Sequence, residues 1–189
     1  QRDARWTNYN TLTWKQKVKK HNYDVLLGHE VSYRSTEYLL GEAMGFPFDQ
    51  MGNDNMGLGA TPSKVESTFY DKTLLSFYAR TNYNYDNRYL FTATVRADGS
   101  TVFSSNKKWG FFPSFSAAWR VSEEAFMKDV KWISNFKIRL GWGTVGNDNI
   151  PNYLSLDLYE ANKYGIGNSS VTVLNPKQLR NKNLKWEGS

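Results

Sequence analysis

Hydrophobic and polar residues alternate with a period of two along much of this chain, and a helical period is almost absent. From Leu75 to Tyr85 the odd positions are mainly apolar or aromatic, while the even positions are mainly polar. The alternation resumes from Tyr89 to Val95, after the dipeptide Asp86-Asn87. Asp and Asn both tolerate the positive φ of a tight two-residue turn. The pattern therefore predicts a β-hairpin with one apolar face and one polar face.

Four further segments repeat this alternation, around residues 11–15, 24–34, 114–121 and 136–143. The sequence thus predicts an all-β fold, an antiparallel meander of about six long strands. It also predicts one short helix over residues 125–128, because Ser122 can cap a helix and Glu123-Glu124 suit its positive end.

The connections between the predicted strands are alternately short and long. The short ones are Lys19–Asn22, Asp86-Asn87 and Ser122–Ser134, and the long ones are Gly41–Ser67, Gly99–Lys108 and Gly146–Leu184. Alternate connections of a meander emerge on opposite sides of the sheet, so all the long loops fall on one side. Bacterial outer-membrane barrels have this arrangement, with short periplasmic turns and longer extracellular loops. Loop lengths therefore favour six strands that form an arc of a large transmembrane β-barrel.

The two faces of the predicted sheet agree with this interpretation. A spanning barrel needs an apolar outer face with aromatic residues at both membrane interfaces, and aromatic residues make up 16% of this chain. Tyr83, Tyr85 and Tyr89 stand beside a short turn, where a periplasmic girdle would lie. We expect the lipid-facing residues to include Phe77, Phe91, Val95, Trp119, Ile138 and Leu140.

The polar face carries a row of cations. Four consecutive strands each place one arginine there, and the full set is Arg80, Arg96, Arg120, Lys137 and Arg139. Because the planar guanidinium forks onto carboxylates, such a row suits a shaped acidic partner. Local pairing with Asp98 or Glu30, or plain solvation of the lumen, is the alternative interpretation.

Composition narrows the remaining function classes. The chain has 189 residues, a formal net charge of +6 and no cysteine, which excludes disulfide scaffolds and thiol or Cys-zinc chemistry. No carboxylate pair or Ser/His/Asp set suggests an enzyme, and no cofactor motif is complete. A single-stranded nucleic-acid binder needs aromatic and basic residues on one face, whereas here they lie largely opposite. We therefore expect no nucleic-acid partner. A soluble, aromatic-rich β-sandwich that binds carbohydrate stays open as the alternative.

Particular motifs resemble one known family. They are Arg96-Ala97-Asp98-Gly99-Ser100, the run from Lys108 through Pro113 to Arg120, Ser122–Met127, Lys137–Asn147, Gly28-His29-Glu30 and Asn183–Glu187. Together they resemble the barrel of SusC/RagA-type, TonB-linked outer-membrane receptors, over roughly residues 10–187. Ser104 departs from the glycine that is usual in that family.

The resemblance implies an outer-membrane location and TonB-dependent import of a large nutrient, an oligosaccharide or a peptide. It also implies a SusD-like surface lipoprotein as partner, and TonB contact through a plug domain that this sequence does not contain. Barrels of this class have 22 strands, so we expect the 189 residues to be an internal segment of a longer protein. In that setting the cation row would face the plug or an anionic substrate.

Overall fold

The computed structural model of the protein describes residues 1–48, 55–167 and 169–188. Its main feature is a six-stranded antiparallel sheet in the order β1-β2-β3-β4-β5-β6. The strands of this meander are β1 Arg2–Val18, β2 His21–Met44, β3 Thr61–Tyr85, β4 Tyr89–Ser100, β5 Trp109–Arg120 and β6 Lys137–Gly143. The predicted fold class is confirmed.

The first three strands are longer than the sequence pattern indicates, with 17, 24 and 25 residues. The predicted bounds of the loop Gly41–Ser67 are consequently wrong at both ends, because β2 continues to Met44 and β3 already begins at Thr61. Small and polar residues interrupt the alternation there, yet both segments remain strands. A short 3-10 turn, Met56–Leu58, follows the part of this loop, residues 49–54, that lies outside the described residues.

The predicted loop Gly146–Leu184 also contains regular structure. Strands β7 Gly146–Asn147 and β10 Glu187–Gly188 pair at its base, and β8 Leu158–Ile166 pairs with β9 Ser169–Gln178 as a hairpin. The hairpin escaped prediction because Asn175-Pro176 and a bulge beside Leu158/Tyr159 disturb its period of two.

The predicted short helix is a pair of 3-10 turns, Val121–Glu123 and Ala125–Met127. Each is closed by backbone hydrogen bonds to the third residue back, and neither has a side-chain cap, so Ser122 does not act as one. A segment of four residues is too short to form a stable α-helix. In the described part of the chain, no helix has the length and apolar character needed to cross a membrane.

The chain divides into two compact units. The first comprises Gln1–Trp6 and Tyr33–Lys72, and the second comprises Thr7–Ser32 and Thr73–Ser189. In the first unit, the hydroxyl of Thr36, a buried residue, donates to the Asp3 carboxylate, and the Trp6 and Tyr33 rings lie 6.2 Å apart. The second unit contains β4, β5 and β6 and all the predicted site residues.

Few hydrophobic side chains are buried. Among the described residues the buried ones are Val102, Phe103 and Val121, whereas many large apolar and aromatic side chains are exposed. The apolar sheet face is therefore not the core of a closed sandwich.

Candidate functional site

Strand register places the predicted lipid-facing residues on one face of the sheet, called the apolar face below. Residues directly opposite each other in an antiparallel pair point to the same side. Phe91 pairs with Ala117, which pairs with Leu140, and Trp119 pairs with Ile138. Phe77 and Val95 join the same face through the β3–β4 register. Leu140 is 71% exposed and Phe91 49% exposed, so the described residues leave this face largely uncovered.

Aromatic side chains gather at both ends of the apolar face. The end near Asp86-Asn87, called the short-turn end, has ring contacts among His21, Tyr23, Tyr83, Tyr85 and Tyr89. The end near Ser100, called the long-loop end, has Trp109 stacked on Phe77. On β5 and β6, Phe115 lies against Trp142 at the level of Ala93, midway along β4.

Smaller aliphatic residues fill the apolar face between these clusters. From Tyr89 to Gly99 on β4 the distance is about 33 Å along the strand at about 3.3 Å per residue. A strand tilted by about 40° projects this to roughly 25 Å, the height of the apolar band of an outer-membrane barrel. The geometry therefore fits a lipid-facing wall, and the assignment of individual side chains to lipid stays a prediction.

The five predicted cations share the opposite face, called the polar face, but they do not lie at one height. Arg96 pairs with Phe112, Arg80 pairs with Thr94, and Arg139 pairs with Ala118, so each is at a different level along the strands. Arg120 and Lys137 pair directly with each other at the short-turn end. The polar face thus carries a diagonal of cations along the sheet rather than a row.

Arg96 is engaged by neighbouring side chains through its Nε and Nη2 atoms. Its Nε donates to both carboxylate oxygens of Asp98, at 2.8 and 2.9 Å, and its Nη2 donates to Ser76 Oγ at 2.8 Å. The same Nη2 lies 3.7 Å from Glu30 Oε2, and the guanidinium lies 5.5 Å from the centre of the Tyr78 ring. Asp98 and Ser76 are buried. Arg96 therefore acts as a link between β2, β3 and β4.

Arg120 is also paired locally, near the short-turn end. Its Nη2 donates to Glu123 Oε1 at 2.9 Å, and its Nη1 donates to the Asn87 carbonyl at 3.3 Å. In contrast, Arg80, Lys137 and Arg139 are exposed and form no ion pair with any described residue. These three are therefore the cations of the polar face that have no carboxylate partner among the described residues.

The three short connections meet at the short-turn end, as the loop lengths predict. The Asp86 amide donates to the Lys20 carbonyl at 2.8 Å, and Lys20 Nζ donates to the Asp86 carboxylate, also at 2.8 Å. Arg88 lies 3.5 Å from Asp86 and 3.4 Å from Glu124. A chain of charges therefore connects the β1–β2, β3–β4 and β5–β6 connections.

Both carboxylates of this chain of charges are stabilised in the ionised form. Tyr89 OH and Trp119 Nε1 donate to Glu124 Oε1, at 2.7 and 3.0 Å, and these bonds lower the pKa of Glu124. The hydrogen bond from Lys20 lowers the pKa of Asp86. The short-turn end is therefore most completely paired when both carboxyl groups are charged.

Sequence reasoning missed two packing features of this unit. The Tyr78 ring lies directly on the Gly28 backbone, where any Cβ would overlap it, so the glycine of Gly28-His29-Glu30 permits a close approach. A glycine within a strand pattern was the available signal.

The second missed feature is an aromatic cluster at the long-loop end. The Trp186 ring lies 5.1 Å from Phe103 and 5.3 Å from Phe112, and its Nε1 donates to the Lys108 carbonyl at 2.8 Å. A Cβ on Gly146 would overlap the Phe112 ring. This cluster closes the base of the long excursion that carries the β8–β9 hairpin.

Comparison with known proteins gives a consistent family assignment. The family model described as TonB-dependent receptor-like β-barrel matches residues 1–189. The TonB-dependent receptor SusC of Bacteroides thetaiotaomicron is 46% identical over 120 residues, which is 61% of this chain and 12% of SusC. The TonB-dependent receptor P3 of Formosa agariphila is 33% identical over 180 residues, covering 95% of this chain and 18% of P3.

The fold is similar to that of a solved transporter. A chain of the RagAB peptide transporter superposes with a TM-score of 0.89 at 27% identity, over 98% of this chain and 20% of that one. The named relatives are receptors and a transporter rather than enzymes. The chain thus spans about a fifth or less of the length of each of these proteins.

Proposed function

Because this chain belongs to the TonB-dependent receptor-like β-barrel family, we propose that it forms part of the wall of a transporter that imports a large nutrient. It is part of an outer-membrane β-barrel, and the soluble β-sandwich interpretation is wrong, since the apolar face stays exposed. The observation that supports the transporter wall most directly is that the same strands have an exposed apolar face on one side and a polar, cationic face on the other.

The nutrient class we propose is an oligosaccharide or a peptide, and the partner is a SusD-like surface lipoprotein. Support comes from the identity to SusC and from the similarity to a transporter described as carrying peptides. TonB would act through a plug domain outside these 189 residues.

We further propose that the unpaired cations of the polar face meet the plug. Arg80, Lys137 and Arg139 are exposed and unpaired within the described structure, whereas Arg96 and Arg120 are occupied by local carboxylates. Solvent-exposed ion pairs are weak, roughly 0–1 kcal/mol each. Several of them together could hold the plug in its resting position and still break when TonB pulls on it. An anionic substrate is the competing use of the same three cations.

Uptake by the full-length receptor in its own bacterium tests the transport function. We expect deletion of the receptor to abolish uptake of a fluorescent oligosaccharide or peptide that the intact strain accumulates, and collapse of the proton-motive force to do the same. Capture of a tagged receptor from detergent extracts should yield a SusD-like lipoprotein. Uptake of every tested oligosaccharide and peptide at parental levels in the deletion strain contradicts the proposal.

Charge neutralisation tests the role of the cations. In the full-length receptor, Arg80→Gln with Arg139→Gln should lower the force needed to release the plug. The matched control is Lys128→Gln with Lys131→Gln, which removes two exposed charges from the Ser122–Ser134 connection. Unchanged plug release with loss of uptake of an acidic substrate alone would favour the substrate role. No change in plug release or in uptake of neutral and acidic substrates would leave only solvation.

A further inference from the structure

The β8–β9 hairpin forms a small sheet of its own. In the described part of the chain, its two strands pair only with each other. The hairpin belongs to the long connection after β7, and long connections lie on the extracellular side of an outer-membrane barrel. A two-stranded hairpin is only marginally stable in water, whereas sheets of three or more strands can be stable. The hairpin is therefore suited to receive an additional strand.

A proline shows which backbone groups point out from the free edge of β8, the edge away from β9. Opposite residues of an antiparallel ladder alternate between pairs that exchange hydrogen bonds and pairs that do not. Pro176 has no N–H, so its pair with Tyr159 is of the second kind. By alternation, the outward N–H and C=O groups on β8 are those of Tyr159, Ala161, Lys163 and Gly165. None of them is hydrogen-bonded to another described residue.

The two edges of the hairpin differ in their protection against strand pairing. Natural sheets protect exposed edges with proline residues and β-bulges. The β9 edge has both, because Pro176 lacks a donor and Lys177 is left without a partner at the register shift. Strand β8 contains no proline, and a Cβ on Gly165 would meet no atom within 4 Å. The β8 edge is therefore the less protected of the two.

Exposed apolar side chains flank the β8 edge on both faces of the hairpin. Tyr159 shares one face with Leu174, and both are exposed. On the other face Tyr164 is exposed, and its OH accepts a hydrogen bond from Asn175 Nδ2 at 2.9 Å. The side chains of an added strand would point alternately to these two faces. They would therefore contact Tyr159 on one face and Tyr164 on the other.

We propose that an extended peptide binds to the free edge of β8 as a third strand. This inference rests on the proposed import function and selects a peptide as the nutrient. The reason is chemical, since a peptide backbone repeats N–H and C=O groups at the spacing of a strand, and sugar hydroxyls do not. Main-chain hydrogen bonds accept many sequences, whereas the two exposed tyrosines favour apolar side chains. The hairpin thus captures peptides outside the membrane, before they enter the lumen.

The test measures binding of a fluorescent peptide to the full-length receptor, extracted from its own outer membrane in a mild detergent. The probe is a short peptide of alternating threonine and valine residues, N-methylated along one edge so that it cannot assemble with itself. Its unmethylated edge can still pair with β8, so we expect it to bind. The same peptide N-methylated at every residue has no N–H groups left for strand pairing and should not bind.

Proline substitutions within one residue pair distinguish the two edges. Lys163 and Thr172 lie opposite each other, and both N–H groups point away from the ladder that joins the strands. Lys163→Pro removes a donor from the β8 edge and should weaken probe binding at least several-fold. The matched control is Thr172→Pro, which removes a donor from the β9 edge and should bind like wild type. Lys163→Gln removes the charge but keeps the N–H, and it should also bind like wild type.

Three results would overturn the inference. The first is equal binding of the probe and the fully methylated peptide, and the second is equal binding by Lys163→Pro and Thr172→Pro. The third is loss of a surface lipoprotein from Lys163→Pro with unchanged probe binding, because the edge would then belong to that partner. Mobility on unheated gels checks that each variant has formed its barrel. If deletion of the receptor abolishes peptide uptake while the receptor binds no probe, the transport function stands and this inference alone fails.

Discussion

At the short-turn end of the sheet, charged side chains from three alternate connections are joined by ion pairs, whereas at the long-loop end aromatic rings from distant parts of the chain pack together. Lys20, Asp86, Arg88 and Glu124 provide the first arrangement. Trp186, with Phe103 and Phe112, provides the second. The two ends therefore depend on different physical interactions.

The lengths of the connections explain this difference. A short turn keeps the two strands that it joins close together. Ion pairs between solvent-exposed side chains therefore need only fix the spacing of neighbouring turns. The excursion between β7 and β10 must be closed against a larger loss of chain entropy, and burial of aromatic surface supplies more free energy than exposed ion pairs do. Stability at the long-loop end should accordingly be sensitive to packing, and stability at the short-turn end to pH and salt.

Removal of the Trp186 ring should have the largest effect. Trp186→Ala deletes the ring between Phe103 and Phe112, and Trp-to-Ala changes in packed sites cost about 3–5 kcal/mol. We expect protease cleavage within residues 148–186 of the full-length receptor, with the short-turn end unaffected. Trp132→Ala is the control, because that ring is 85% exposed. Equal protease resistance of the two variants would show that the cluster does not anchor the loop.

Loss of the Arg96 guanidinium should have the next largest effect, since it pairs with a buried carboxylate. Arg96→Gln leaves Asp98 without its cation, at a cost of about 1–3 kcal/mol for an unsatisfied buried group. We expect a lower temperature for barrel unfolding on unheated-versus-heated gels, and a smaller decrease for Arg96→Lys, which keeps the charge but not the planar fork. Arg80→Gln, which removes an exposed and unpaired charge, should leave the temperature unchanged.

The two faces of the sheet could be predicted from sequence because side-chain direction alternates strictly along a strand. An error in where a strand ends does not alter which face Phe77 or Phe91 occupies. The same reasoning places Arg96 and Asp98 together, since residues two apart on one strand share a face. Glu30 is a candidate partner from sequence, and it lies 3.7 Å from Arg96. The same reasoning could not supply Ser76 as a further partner, because it lies on another strand and meets Arg96 only through the register.

The ends of β2 and β3 and the Trp186 cluster lay beyond such reasoning for a different reason. Residues 35–44 and 61–72 alternate weakly, so the length of those strands depends on pairing between them rather than on local pattern. Trp186 lies 83 positions after Phe103 in the sequence, so no local pattern of hydrophobic and polar residues can indicate that the two rings are in contact. Height along the strands was also not predictable from face alone, which is why a supposed row of cations is a diagonal.

Neutralisation of Glu124 should lower the unfolding temperature by a smaller amount, and the size of this decrease should depend on pH. Its folded-state pKa is lowered by hydrogen bonds from Tyr89 and Trp119 and by the charge of Arg88. A carboxyl group whose pKa is lower in the folded state than in the unfolded state stabilises the fold while it is ionised. This stabilisation is complete above the ordinary carboxyl pKa, near pH 4, and it is lost as the pH falls through the lowered, folded-state pKa. Glu124→Gln should therefore unfold at a lower temperature than wild type at pH 7, and the difference should shrink below about pH 4. A difference that is constant from pH 7 to pH 3 would exclude ionisation as its source.

The smallest effect should come from Lys20→Gln, which removes the outermost pair of the short-turn end. Lys20 is 59% exposed in its side chain and Asp86 is 25% exposed, so solvent and salt screen their interaction. Arg88 remains 3.5 Å from Asp86 and partly replaces the lost cation. We expect a slightly lower unfolding temperature at low salt and none of this difference at 1 M salt, where the Debye length is about 3 Å. The double variant Lys20→Gln with Asp86→Asn measures the interaction between the two side chains. If they act together, its unfolding temperature at low salt should be close to that of the single variants. If the variants instead differ from wild type by the same amount in high salt, shape or packing of the turn, and not charge, holds this end of the sheet.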